Sequence, residues 1–164
     1  MTRWFRSIAA SILLFTVAAV PAAADQVCKP VTGHFEAVVV PPGQGHCPSD
    51  PSAFCTAGRV WGGIQGTYQF VMTGAMPSVL IGGDDSVLFF TGRSAIFLKN
   101  GDQLFGTDTG SLDPPPEGQG GFASLITFTG GTGDALNASG QIRLRGELGP
   151  GTTEGDYTGT LCTQ

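Results

Sequence analysis

Ile126-Thr-Phe-Thr-Gly-Gly-Thr-Gly-Asp-Ala-Leu-Asn-Ala-Ser-Gly140 reads as a strand, a glycine corner, a short irregular pass and the approach to a further strand. That next strand is Gln141-Ile-Arg-Leu-Arg-Gly-Glu-Leu148, in which Gln141, Arg143, Arg145 and Glu147 alternate with Ile142, Leu144, Gly146 and Leu148. Period-2 alternation is the signature of a sheet with one dry face. A unit of this kind joins neighbouring strands of a small antiparallel barrel. It points to an architecture and not to a reaction.

Working outward, strands are expected over residues 31–40, 59–64, 67–73, 86–98, 103–109, 122–129 and 156–161, with a short one over 78–81. In 67–73, Tyr68, Phe70 and Met72 share a face, and Thr67, Gln69, Val71 and Thr73 share the other. Lys99-Asn-Gly-Asp102 is the strongest turn signal, because Asn-Gly supplies the positive φ that a type I′ hairpin needs. Gly82-Gly-Asp-Asp85 is a second turn, Gly62-Gly63 marks a bend or bulge, and 111–121, with three consecutive prolines, is a surface loop. No stretch after residue 24 repeats apolar residues at helical spacing with caps. The 26 glycines and 11 prolines suit an all-β chain rich in turns. The expectation is a single antiparallel barrel of about eight strands, whose closure removes exposed edges.

Arg3 and Arg6 precede an apolar run from Ile8 to Val20, and Pro21-Ala-Ala-Ala24 ends it with small residues. This is the pattern of a cleaved signal peptide over 1–24, leaving one domain over 25–164. A membrane anchor fits less well, because no basic or aromatic stop-transfer flank follows the run. A lipoprotein cut fits poorly, because Cys28 follows Asp25-Gln-Val27. Export to a bacterial periplasm or the extracellular space is expected, with no membrane attachment after cleavage. The formal net charge is -5 and only 13% of residues are charged. The absence of a basic cluster argues against a nucleic-acid partner.

Four cysteines in an exported chain suggest two disulfides, for which three pairings exist. Cys28–Cys162 and Cys47–Cys55 are favoured. Cys28 precedes the first expected strand and Cys162 follows the last, and those strands are neighbours in a closed barrel. Cys47 and Cys55 bracket the turn-rich Pro48-Ser-Asp-Pro51. A metal centre is disfavoured, since no Cys-x-x-Cys occurs and His46 beside Cys47 is an isolated pair. No cofactor motif is found: Gly-Gly-Thr-Gly lacks the lysine and the helix of a phosphate loop.

In their order, Cys47…Cys55-Thr-Ala-Gly58 with Gly62-Gly63…Gly66, Leu104-Phe-Gly-Thr-Asp-Thr-Gly110, Thr127-Phe-Thr-Gly-Gly-Thr-Gly133 with Ala138-Ser-Gly140, and Tyr157-Thr-Gly-Thr-Leu-Cys162 form a pattern. It resembles bacterial exported proteins with an allene oxide cyclase-like barrel, distantly similar in shape to plant dirigent proteins. Where the family pattern has an Arg and an aromatic after Gly-Gly-Thr-Gly, this chain has Asp134-Ala-Leu136. The resemblance implies an eight-stranded, calycin-like antiparallel barrel with an apolar interior. It also implies chemistry that is largely steric, in which a cavity folds a flexible substrate. No catalytic residues of the family match positions here.

Asp108 shares a strand face with Leu104 and Gly106. If inward, it is a carboxyl in an apolar cavity and a candidate acid. The reading favoured is structural: a rim Asp near a turn, hydrogen-bonded to backbone. His34 and Glu36, two apart in the first strand with Thr32, are candidates for a proton relay or half a metal site and fit a solvent-facing stripe better. Arg143 and Arg145 fit an outer face balanced by Glu147 better than an anion grip. Asp84-Asp85 falls short of a calcium loop, and Asn137-Ala-Ser139 matches a glycosylation sequon that is expected to go unused.

Three functions are carried forward. The first is a module binding a small apolar molecule in the barrel, with Tyr68, Phe70 and Met72 as ligand-binding residues and Phe35, Phe89 or Phe90, and Phe128 as further inward aromatics. The second is an isomerase or cyclase acting on a lipid-like or phenolic substrate through Asp108 or Glu36. The third is a structural or interaction protein whose eight strands enclose a volume that side chains fill completely.

Overall fold

In a computed structural model, the protein is described over residues 26–164, apart from 84, 85, 117 and 119. The signal-peptide reading over 1–24 and the Asp84-Asp85 turn therefore lie outside the described residues. Eight strands follow in order: β1 Val27–Val40, β2 Cys55–Gly62, β3 Gly66–Pro77, β4 Leu88–Leu98, β5 Gln103–Leu112, β6 Gly121–Gly131, β7 Ser139–Gly149 and β8 Thr152–Thr163. Each pairs antiparallel with the next, and β8 returns to pair with β1. The fold is thus all-β, a closed eight-stranded barrel, as the alternation patterns predict.

The two cysteine pairs form as favoured. Cys28 and Cys162 are direct partners across the β1–β8 ladder and are bridged, and Cys47 is bridged to Cys55. Two disulfides belong to an oxidising environment outside the cytoplasm. Among the described residues no helix is long and apolar enough to cross a membrane.

Period-2 alternation places apolar residues inside and charge outside. On β7, Ile142 and Leu144 are buried while Gln141, Arg143, Arg145 and Glu147 are exposed. Eight strands leave little room for rings, and glycines make that room. A Cβ on Gly92 would stand 2.2 Å from the Phe70 ring, and one on Gly110 2.8 Å from the Phe90 ring. These two rings meet edge to face with centroids 5.6 Å apart, a favoured aromatic geometry. Small residues opposite large ones let a narrow barrel pack.

The barrel has two unlike ends. At one lie the β2–β3 and β4–β5 turns, the β6–β7 connection and the paired edges of β1 and β8. There the Asn-Gly hairpin forms, with Gly101 at φ of 92°, but Asn100 has no positive φ, so the turn is not the expected type I′. The irregular pass between β6 and β7 becomes a 3-10 turn, Gly133–Ala135, which tucks Ala135 and Ala138 into the core. Tyr157 reaches across beneath it: its hydroxyl accepts from the Ile64 N–H at 2.7 Å and lies 3.1 Å from the Ile64 carbonyl. Val31, Ile64, Ile96, Leu104, Phe128 and Ile142 complete a solid plug.

At the other end are the longer connections, 41–54, 78–87 and 113–120. Residues 78–81 are a 3-10 turn and not the expected strand. Pro77 precedes the turn and Gly82 ends it in the left-handed region at φ of 80°, so an apolar run that looks like a strand has no ladder to join. Val79, Leu80 and Ile81 are exposed, Leu80 and Ile81 to about 70% and 67%. β1 and β8 extend outward, beginning at Val27 and spanning Thr152–Thr163, because the two strands support each other along their whole length, whereas β2 shifts to Cys55–Gly62 and β4 starts only at Leu88.

Candidate functional site

The open end contains a cavity of about 60 Å³ inside the barrel. That volume holds roughly four to six water-sized spheres. Its walls are apolar: Phe35, Phe70, Phe90, Leu144 and Met72, with Phe54, Leu112, Phe122 and Leu148 toward the mouth. Alternation positions them, since each strand contributes every second side chain. Tyr68 and Phe70 are buried, and Met72 is half-buried against the core. A bulge between Met72 and Gly74 then shifts the register of β3 on β4, and the strand beyond it is exposed. Of the other inward aromatics named from sequence, Phe35, Phe90 and Phe128 are buried; Phe89 faces out. Phe128 packs in the closed end.

The inner limit of the cavity is polar. Asp108 is 2% exposed and sits mid-barrel between Gly92 on β4 and Ile126 on β6. This corrects the rim reading: its partners are side chains of three other strands and not backbone. Ser94 Oγ donates to Asp108 Oδ2 at 2.9 Å, and Ser124 Oγ donates to Oδ1. The Tyr68 hydroxyl makes a long contact to Oδ2 at 3.5 Å and lies 3.3 Å from Ser94 Oγ. Burial pushes the Asp108 carboxyl above its ordinary range, and the hydrogen bonds from Ser124, Ser94 and Tyr68 oppose that rise. Burial next to Asp108 likewise pushes the Tyr68 hydroxyl far up, so it stays a neutral donor. None of the lining residues is Lys, Arg or His. Sequence reasoning misses Ser94 and Ser124. Nothing marks a serine as inward until the register across β4, β5 and β6 is known.

The remaining candidates are on the outside. His34 Nδ1 pairs with Asp156, and Arg59 Nε donates to Glu36 at 2.8 Å. Both contacts are on the solvent face, where the Arg59–Glu36 ion pair is worth little. Arg143 and Arg145 are exposed on the outer face of β7. Glu36, His34 and Asp108 are therefore not brought together: only Asp108 reaches the interior. His46 Nε2 lies 3.1 Å from the Phe70 carbonyl, where it helps hold the 41–54 segment to β3. Among the described residues no three His, Cys, Asp or Glu side chains converge to hold a metal ion.

This arrangement offers an apolar sleeve ending on a carboxyl framed by hydroxyls. It can hold an apolar body by burial and orient one polar atom by hydrogen bonding. No protein-family model, curated protein or solved structure matches the chain, so the function rests on this geometry.

Proposed function

We propose that the protein is an exported binding module that holds a small apolar molecule in the open half of its barrel. The observation that carries this reading is the cavity of about 60 Å³, walled by aromatic and aliphatic side chains beside a plug that is packed solid. A barrel built only as a scaffold has no need to leave such a cavity, because each unfilled methyl-sized space costs stability. The charged outer face of β7 supports a soluble barrel, since a lipid-spanning one carries apolar residues outside. Export to the periplasm or beyond is supported by the leader pattern over 1–24 and agrees with two disulfides. Kinship with the allene oxide cyclase-like exported barrels is supported by the ordered glycine and threonine motifs.

Xenon tests the cavity without assuming ligand chemistry, because it enters dry apolar cavities. Saturable xenon binding by ¹²⁹Xe NMR is expected, together with its loss in Ala37→Leu, which fills the wall. An unchanged xenon signal in Ala37→Leu, or none in the parent, removes the reading and leaves the scaffold.

A second reading, isomerase or cyclase, draws on one observation: Asp108 places a carboxyl of raised pKa against the cavity. Such a group is suited to general-acid work. For an enzyme, Asp108→Asn abolishes turnover and leaves binding of an uncharged ligand intact.

A further inference from the structure

The carboxyl at the inner limit of the cavity has three hydrogen-bond donors and no positive partner. Ser94, Ser124 and Tyr68 orient it, but every one of them is neutral. No Lys, Arg or His lines the cavity. The nearest arginine in sequence along β4, Arg93, points to the outer face. Each carboxylate oxygen accepts about two hydrogen bonds. The Oδ1 atom has one partner here, Ser124, which leaves it able to accept another from within the cavity.

A lone buried carboxylate is costly unless it is paired. The fold has already removed most of its water. A ligand that brings a positive charge therefore meets an acceptor that needs no further desolvation, and must shed only its own water. The walls add to this: Phe35, Phe70, Phe90 and Phe122 line the cavity, and aromatic faces attract ammonium groups. A ligand that brings a negative charge meets the opposite situation, since like charges in a site of low polarity repel strongly.

Resting on the binding-module reading, we infer that the cavity is selective for a small hydrophobic amine, whose ammonium pairs with Asp108 while its hydrocarbon body fills the sleeve toward Phe54 and Leu148. The same geometry excludes fatty acids and other apolar carboxylates. From Asp108 to Leu112, β5 advances about 13 Å along the strand, or roughly 10 Å along the axis of a tilted barrel. A chain of about six carbons suits that depth.

The test uses the full, disulfide-bonded protein and three probes of equal length: n-hexylamine, n-hexanol and n-hexanoate. Binding is measured by calorimetric titration near pH 8, where an alkylamine, with a pKa of about 10 like that of lysine, carries its charge. The amine is expected to bind at least about tenfold more tightly than the alcohol, with hexanoate not binding. In Asp108→Asn the amine is expected to fall to the level of the alcohol, and the alcohol to keep its affinity. Equal affinity for amine and alcohol, or binding of hexanoate, overturns amine selectivity and leaves the apolar binding module standing. Failure of all three probes overturns both. Because the parent protein alone decides between the probes, the inference stays testable even if Asp108→Asn folds poorly.

Discussion

The two ends of this barrel are made by the same eight strands, and they solve the interior differently. At the closed end the alternating inward positions hold Val31, Ile96, Leu104, Phe128 and Ile142, with Tyr157 and the Gly133–Ala135 turn completing the plug. At the open end the same positions, further along each strand, hold rings and small residues in turn: Phe70 over Gly92, Phe90 over Gly110. Four connections frame that end without filling it. The difference shows that one inside-outside pattern sets the fold, while residue volume at each level decides whether a section becomes core or chamber.

The largest expected effect separates the ends by their disulfides. The Cys28–Cys162 bridge, at the closed end, spans 134 residues; Cys47–Cys55, at the open end, spans 8. In the chain-entropy treatment these correspond to about 5 and about 2.5 kcal/mol. Replacing each pair by Ala and unfolding in urea is expected to rank the losses in that order. The reverse ranking breaks the view that the closed end anchors the barrel.

Core truncation sharpens the contrast. Leu104→Ala is expected to cost about 3–5 kcal/mol, because its neighbours cannot collapse. Met72→Ala, beside the cavity, is expected to cost about 1–2 kcal/mol, since a side chain facing empty space has fewer contacts to lose. Equal losses mean that the open half is as tightly packed as the plug.

A smaller effect comes from adding a methyl group. A Cβ at Gly33 would stand 2.0 Å from the Trp61 carbonyl oxygen, which is backbone; at Gly92 the closest obstacle is the Phe70 ring. Overpacking costs about 1–3 kcal/mol. Gly33→Ala is expected at or above the top of that range. Gly92→Ala is expected lower in that range, because its closest obstacle, the Phe70 ring, has the cavity to move into, while the Val71 carbonyl oxygen at 2.8 Å must also give. Thermal denaturation of both variants measures the gap.

The smallest effect is one of pH. The folded-state pKa of Asp108 lies above its unfolded value. Between the two, the native state holds the proton that the unfolded chain has released. Stability from this group is therefore full at acid pH and falls as pH rises through that window, flattening above it. Asp108→Asn is expected to remove the slope and to gain on the parent as pH rises toward neutrality. Denaturant midpoints across the acid-to-neutral range show this; an unchanged slope in the variant places the titration elsewhere.

Much of the architecture is legible in the chain. Alternation in 141–148, the Asn100-Gly101 turn and the terminal cysteines each report a local constraint that tertiary packing does not override. The candidate site is legible only to a degree. Tyr68, Phe70 and Met72 announce their face by contrast with Gln69 and Thr73. Asp108 does so less plainly: Leu104 and Leu112 mark its face as inward, but Gly106 and Gly110 dilute that signal and the opposite face carries Phe105, which is exposed. Apolarity along β5 thus gives a weaker contrast. The partners of Asp108 depend on register across four strands, and that register is adjusted by bulges at Met72/Gly74 and Phe105/Gly106. The run 78–81 misleads for a different reason. Its residues have strand-like side chains, yet its flanks, Pro77 and Gly82, dictate a turn.

The covalent link between the first and last strands has a mechanical consequence. Cys28 and Cys162 face each other directly across the ladder. A pull applied at Val27 and Thr163 meets only their own terminal pairing before the sulfur–sulfur bond, which takes the load ahead of every rung of the ladder beyond it. While that bond is oxidised, tension entering at either flank bypasses the intervening strands, and the cavity keeps its shape under load. Once it is reduced, the same pull acts on the β1–β8 seam, which can then unzip rung by rung.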